Sequence, residues 1–351
     1  MSGVPADISD VSVAEDVTLP SAQPTRSGYI FNGWCTIAGS DTCTGGTIYT
    51  AGSTWALNQT SPTNTLRLYA MWEKVYTMQE FAAGTASTTC ASMATGDTIS
   101  LVDSRDGTPY KVGKLADGKC WMLDNLALDI SNSDVKAAMY SSTNNNYDTK
   151  TNASNTTLGY LFNGGGSSPY PATGVIAKTS TGGSWTNSYN APYIATTDID
   201  TVPSNAPTNG AGSNKVGVYY NYCAASAGSY CYASGSGTGD ASEDLCPSGW
   251  RMPTGNTSSE FSALAYQIYG STSSTSDTTK VNNYRNALSL PLSGYFYIGS
   301  ASNKGSYGGW WSSTRNDGRY MYRLYANTGS INPAGSNDRN YGYSLRCVLG
   351  S

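Results

Sequence analysis

The chain has 351 residues, among them 39 glycines, 27 tyrosines and eight cysteines but no histidine, with a formal net charge of −4 and only 13% charged residues. That length suits about two domains with a core of real size. The acidic balance, with no basic run outside the C-terminal stretch, excludes bulk nucleic-acid binding, and the lack of histidine removes Ser-His-Asp and Cys-His catalysis and the common metal triads.

Polar residues are dominated by Ser, Thr, Asn and Gly, a trait of secreted β-rich proteins. Residues 1–16 read as a flexible lead-in. "MSGVPADISD" has neither the basic start nor the apolar core of a signal peptide. An exported protein would carry its leader before this point and any anchor beyond Ser351. No apolar run approaches the roughly 20 residues of a membrane span, so direct membrane insertion is not expected.

Residues 17–73 form the first module. "GYIFNGW" alternates like a strand with one buried face, placing Tyr29, Phe31 and, past a turn, Trp34 inward; "LRLYAMW" does the same with Leu66, Leu68, Ala70 and Trp72. So few apolar residues make a marginal core, and a Cys35–Cys43 staple would support it. "PTRSGYIFNGW", Tyr49 and "LYAMW" resemble the Listeria–Bacteroides repeat, related to the internalin B repeat. The resemblance implies a small β-rich, grasp-like stalk module acting as a spacer.

The second module, 74–351, follows a join in "EKVYTMQE", between Glu73 and Glu80. "YKVGKLADGKCWM" predicts two strands around a turn at Asp117-Gly118, with Tyr110, Val112, Cys120 and Met122 on one face. Asp103, Asp106, Asp117 and Asp124 are read as turn carboxylates. Residues 131–215, rich in Asn, Thr, Ser and Gly, are read as long loops over a core. In "TSSEFSALAYQIYG", Thr257 and Glu260 predict a capping box. Phe261, Leu264, Ala265 and Ile268 keep helical spacing, and Gly270 stops the helix. A second helix around "KVNNYRNALSLPLSGY" should end near Ser289. Four strands follow, in "GYFYIG", "GGWWSST", "YMYRLYAN" and "YGYSLRCV".

Eight cysteines suit an oxidising compartment, and none of their spacings is the CxxC of a zinc site. Neighbours along the chain suggest Cys35 with Cys43, Cys90 with Cys120, Cys223 with Cys231 and Cys246 with Cys347, out of about 105 connectivities.

The landmarks "DGTPYKVGKLADGKCWMLDNL", "CPSGWRMPT", "LSLPLSGY", "GWWSST" and "NDRNYGYSLRCV" together resemble the Fibrobacter succinogenes major paralogous domain over roughly 98–348. The resemblance implies an α+β, C-type lectin-like fold on secreted and surface bacterial proteins, with two helices, a mixed antiparallel sheet and long loops, and with the first and last strands paired. Cys246 and Cys347 match cysteines of that family. Closing a ~100-residue loop, their bridge would contribute about 4–5 kcal/mol in the chain-entropy model.

Other activities find little support. "FNGGGSSP" lacks the lysine of a phosphate loop. Sulfatase-modifying enzymes share the lectin-like fold but need reactive cysteines, and all eight here have credible partners. The Glu-Pro-Asn, Gln-Pro-Asp and Trp-Asn-Asp motifs of calcium-dependent lectins are missing, and "RND" at 315–317 is a faint echo; oxygen-rich loops still leave room for a structural Ca²⁺. No other cofactor, no catalytic residue and no metal ligand is assigned. Glycoside hydrolysis by a carboxylate pair ranks as a third reading.

The informative stretch is Gly308–Cys347. It holds five of the ten arginines and none of the ten lysines, amid Tyr, Asn, Ser and Gly. That palette resembles an antibody paratope, in which tyrosine gives contact area at low entropy cost and arginine gives bidentate pairing. The expected ligand face comprises Arg315, Asn316, Asp317, Arg319, Tyr320 and Tyr322, with Asn337, Asp338 and Arg339 on the next loop. In "RYMYRLYAN" alternation puts Arg319, Met321, Arg323 and Tyr325 on one side and Tyr320, Tyr322 and Leu324 on the other, without showing which is exposed. The stretch is also similar to the varied segment of lectin-fold proteins of diversity-generating retroelements, since from Ser312 to Arg346 only Met321 lies outside the residues their codons reach. The expectation is an extracellular or cell-surface bacterial adhesion protein whose partner is a protein or glycan on another cell. The rival is a structural envelope protein without a ligand, in which Trp310, Trp311, Tyr343 and Leu345 are core and the polar residues solvate loops.

Overall fold

A computed structural model describes residues 16–26, 28–39, 42–55, 67–128, 175–176, 194–195, 199–226, 238–297 and 300–350. The chain divides into two compact units, Met1–Tyr76 and Thr77–Ser351.

The first unit contains β1 (Val17–Thr18), β2 (Tyr29–Cys35), β3 (Ile48–Tyr49), β4 (Thr54–Trp55) and β5 (Tyr69–Lys74). β2 runs antiparallel between β3 and β5, and β1 pairs with β4. A bulge between Phe31 and Gly33 shifts the register. Gly33 is required there: its φ is +119°, and a Cβ would lie 3.0 Å from the Tyr49 carbonyl oxygen. Beyond the bulge Trp34 and Cys35 are buried. Phe31 packs edge-on against both Trp34 and Trp72, at 5.0 and 5.7 Å. The Cys35–Cys43 disulfide closes beside Met71. Leu66 lies outside the described residues.

The second unit begins with α1 (Met78–Ala82), then β6 (Thr98–Val102), β7 (Pro109–Lys114), β8 (Cys120–Met122), β9 (Val175–Ile176), β10 (Ile194–Ala195) and β11 (Tyr219–Tyr220). There follow α2 (Tyr222–Ala225), β12 (Gly239–Asp240), β13 (Trp250–Arg251), α3 (Glu260–Tyr269) and α4 (Thr278–Ala287). Last come β14 (Tyr295–Tyr297), β15 (Ser300–Ser302), β16 (Tyr307–Arg315), β17 (Tyr320–Asn327), β18 (Ile331–Asp338) and β19 (Val348–Leu349). Two open sheets dominate, in the orders β13-β19-β8-β7-β6 and β12-β16-β17-β18. The unit is mixed α/β, mostly sheet with few helices.

α3, α4 and both sheets share one core: Trp121, Phe261, Leu264, Tyr284, Leu288, Trp310, Leu324, Ile331 and Val348 are buried together. Each large apolar side chain contributes about 1.5–3 kcal/mol of transfer free energy. The β7–β8 hairpin pairs Val112 with Met122 and Lys114 with Cys120, so Tyr110, Val112, Cys120 and Met122 are all interior. Gly118 takes φ +78° in its turn. Disulfides Cys90–Cys120 and Cys246–Cys347 form as paired in the sequence reading. Cys223 is also disulfide-bonded, and Cys231 lies outside the described residues.

At the centre Arg346 is wholly buried. Its Nε donates to Asn125 Oδ1 (2.8 Å), its Nη1 to the carbonyls of Leu288 (2.8 Å) and Met122 (3.2 Å), and its Nη2 to that of Ser289 (2.8 Å). Leu288 and Ser289 end α4, and Ser289 has φ +49°. Arg346 thus caps carbonyls that a helix terminus leaves unsatisfied. Burial pushes its pKa down to about 9, with Asp124 opposing, and it stays cationic at neutral pH. Asn125 also accepts from Trp310 Nε1 at 2.8 Å and donates to the Val216 carbonyl and Ser293 Oγ, tying three segments together.

Several expectations are corrected. α3 starts at Glu260 after Ser259, whose own side chain makes no capping bond, and the Thr254 hydroxyl accepts the Glu260 N–H at 3.1 Å. Glu260 instead accepts from Arg251, Lys119 and the Thr254 backbone. The capping box forms at Thr77 and Glu80 of α1, inside the stretch expected to be only a join. The strand expected in "YGYSLRCV" is reduced to bridges at 342–344 and the short β19, while the unforeseen β18 completes its sheet. β18 contains Pro333 at a register shift on an edge strand, where a missing N–H is tolerated. β19 pairs with β8 and β13, not with β6, the first strand of the unit. Asp103, Asp106 and Asp117 accept N–H groups two residues on, as turn carboxylates do, but Asp124 accepts from the distant backbone of Lys111 and Ser213. Most of the loop region 131–215 lies outside the described residues.

Candidate ligand-binding face

The nine residues expected on the ligand face gather at one end of the β12-β16-β17-β18 sheet. β16 and β17 run antiparallel and turn through 316–319, and the next strand returns with Tyr320 opposite Asp338, Met321 opposite Asn337 and Tyr322 opposite Ser336. β12 borders the same end, with Gly239 opposite Arg315.

The turn is pinned from within. Asp317 Oδ1 accepts the N–H groups of Arg319 and Tyr320, each at 2.7 Å, and the Tyr320 carbonyl accepts those of Asn316 and Asp317, each at 3.1 Å. These bonds fix the backbone, so side chains leave the turn in set directions. Arg319 is the outermost: its side chain is 60% exposed, forks onto the Asp338 carboxylate through Nε and Nη2, and lies 5.1 Å from the Tyr320 ring. Exposed as it is, that ion pair contributes little to stability. Tyr320, Tyr322, Asn316, Asp317, Asn337 and Arg315 are half-buried. Asn337 is engaged inward, donating to the Tyr343 hydroxyl at 2.5 Å.

The arginine-rich stretch is not, however, a positive surface patch. Arg346 is entirely buried, and Arg323 and Arg339 are each only 8% exposed. Arg339 lies at this end of the sheet, its N–H bonded to the Arg319 carbonyl, but its side chain is buried and not presented to solvent. Alternation in β17 buries Met321 and Arg323 and leaves Tyr320 and Tyr322 partly open, until the register shift between Arg323 and Tyr325 buries Leu324 as well.

Two further features lie in this unit. A cavity of about 710 Å³ beside β12 is lined by Asp240, Glu243, Asp244, Trp250 and Arg251. Two of its three carboxylates are committed to structure: Asp244 accepts the N–H groups of Cys246 and Met252, and Asp240 accepts from the Ser313 and Thr314 hydroxyls. Among the described residues no group of three or more His, Cys, Asp or Glu side chains is arranged to hold a metal.

The other feature is a tyrosine cluster that the sequence reading missed. Tyr297, Tyr341 and Tyr343 stack nearly parallel, at 4.2 and 5.9 Å, and Tyr295, Tyr307 and Tyr325 pack around them. Paired tyrosines one residue apart at 295/297 and 341/343 were its signal. Gly309 admits the cluster, since a Cβ there would lie 2.4 Å from Tyr343 Cδ1. Burial raises the hydroxyl pKa of Tyr343 against the opposing Arg323 charge, and that of Tyr341 to about 12, so these rings remain neutral phenols.

Residues 175–349 match the family model of the Fibrobacter succinogenes major domain, which supports that resemblance for the half of the chain containing the sheet end and the tyrosine cluster. No curated protein and no solved structure matches the chain.

Proposed function

We propose that this chain is a secreted or cell-surface bacterial binding protein of adhesion type, without catalytic activity. A stalk-like, internalin-type repeat would precede a lectin-like module whose β16–β17 turn meets a protein or glycan on another cell surface. The observation that carries this reading is the pinned turn at 316–319, which holds Arg319 out to solvent beside Tyr320 and Tyr322. A preorganised turn avoids the ordering entropy of binding, and Tyr and Arg dominate measured hot spots. Burial of Met321 suits a diversified segment, because the residue outside the codon rule is a fixed part of the sheet.

The structural-envelope reading draws support from the burial of Arg323, Arg339 and Arg346. Binding of the full chain to arrays of glycans and surface proteins separates the two. Arg319→Ala or Tyr320→Ala should weaken capture by about 2 kcal/mol or more while leaving the melting temperature nearly unchanged. If both variants unfold, the residues serve structure alone. If neither changes binding to a confirmed ligand, the face lies elsewhere.

A further inference from the structure

Arg323 sits in the middle of β17 with its guanidinium carbon 4.9, 5.2 and 5.5 Å from the ring centroids of Tyr343, Tyr325 and Tyr307. It is 8% exposed, and its Nε and Nη1 make no hydrogen bond. None of the ion pairs among the described residues includes it. A desolvated guanidinium without an acceptor is costly, and ring faces offset only part of that cost. Arg346, buried completely, shows what a cation kept purely for structure looks like here, with four acceptors around it.

The surroundings of Arg323 restrict what could satisfy it. The side chains packed on it are neutral and polar: Asn303, Asn327 and Asn337 donate to the hydroxyls of Tyr295, Tyr325 and Tyr343, the phenols of Tyr307 and Tyr343 lie 3.3 Å apart, and Asp338, the carboxylate felt by Tyr341, is forked by Arg319. A polyanion needs several cations, and this cluster has one. A purely apolar ligand would leave amides and phenols unmatched. One anionic group on a hydroxyl-rich, ring-shaped ligand fits both facts: ring C–H groups against tyrosine, hydroxyls on amides and phenols, and a planar carboxylate on the guanidinium.

We propose that Arg323 and its tyrosine surround form a carbohydrate subsite selective for sugars that carry a carboxylate. The inference rests on reading this unit as a binding module, yet it uses side chains apart from the 316–319 turn. The test presents uronic-acid and sialic-acid oligosaccharides beside their neutral counterparts to the full chain on an array, followed by calorimetry on the strongest binder. Carboxylated glycans should bind at least about tenfold more tightly than neutral ones, as expected for a charge-assisted hydrogen bond. Arg323→Met should erase most of that preference, and Arg323→Lys should keep part of it. If Arg323→Met does not fold, Tyr297→Ala, at the outer end of the stack, should cost about tenfold in affinity. Equal binding of acidic and neutral glycans, binding of none, or capture only of a poly-glutamate peptide would overturn the subsite. A loss on Arg319→Ala without one on Arg323→Met would also overturn it, while leaving the turn-end face intact.

Discussion

Two buried arginines of the second unit, Arg346 and Arg323, stand in opposite environments. Around Arg346 every neighbour that counts is an oxygen: one side-chain amide and three backbone carbonyls, two of them at the end of α4. Around Arg323 the neighbours are tyrosine rings, and two of its nitrogens have no acceptor. The same side chain can thus join the architecture or remain poised within it, and what decides is whether backbone carbonyls happen to converge on it. A count of arginines carries no information on that point.

The sharpest way to break this comparison is to remove each charge in turn. Arg346→Met should lose about 3–5 kcal/mol in urea unfolding, because it leaves several buried acceptors unpaired. Arg323→Met should lose less than about 1 kcal/mol, because no hydrogen bond disappears and a desolvated charge is relieved. Equal losses would mean that Arg323 is as structural as Arg346.

The same central region is stapled by Cys246–Cys347, which joins the loop before β13 to the residue after Arg346. Replacing both cysteines by serine should cost about 2–5 kcal/mol. Non-reducing peptide mapping that finds free thiols at these two positions would refute the bridge itself.

Glu260 supplies a carboxylate counterpart to the two arginines. Burial opposes its ionisation, but hydrogen bonds from Arg251, Lys119 and the Thr254 N–H outweigh burial and hold its pKa at about 2, below the ordinary 4.5. The folded pKa is depressed, so the stabilisation is complete above about pH 4.5 and is lost as pH falls toward about 2. It amounts to about 3 kcal/mol. Glu260→Gln should flatten the stability profile across that window; an unchanged slope would remove Glu260 from the account.

The smallest effect belongs to the exposed pair. Arg319→Ala should change stability by less than about 1 kcal/mol, since Arg319 is solvent-screened where Arg346 is not. A larger loss would show that the turn depends on the Arg319–Asp338 contact and not on Asp317.

Much of the architecture was legible in the chain itself. Period-two alternation located β2, β5 and the β7–β8 hairpin, helical spacing with Gly270 located α3, and an even set of cysteines in neighbouring positions predicted the pairing of Cys35, Cys90 and Cys246 with their partners. Apart from Cys246–Cys347, whose partners are 101 residues apart, these signals are local or nearly so: they follow from backbone periodicity, glycine's freedom at positive φ and short loop closure. The nine residues of the candidate face were likewise found together because β16, β17 and β18 are consecutive antiparallel strands.

Tertiary structure decided the rest. Thr257 and Glu260 satisfy a capping pattern, yet Arg251 and Lys119 compete for the same carboxylate and win. β18 has weak strand propensity through Pro333 and Gly335, and exists because β17 offers an edge. Above all, five arginines that look alike in the sequence divide into one exposed, one half-buried and three buried: Arg315 and Arg323 stand at register shifts within strands, Arg319 in a turn, and Arg339 and Arg346 in segments outside the strands. Burial depends on which strands and carbonyls arrive from far along the chain, and that long-range convergence leaves no trace in the spacing of the residues themselves.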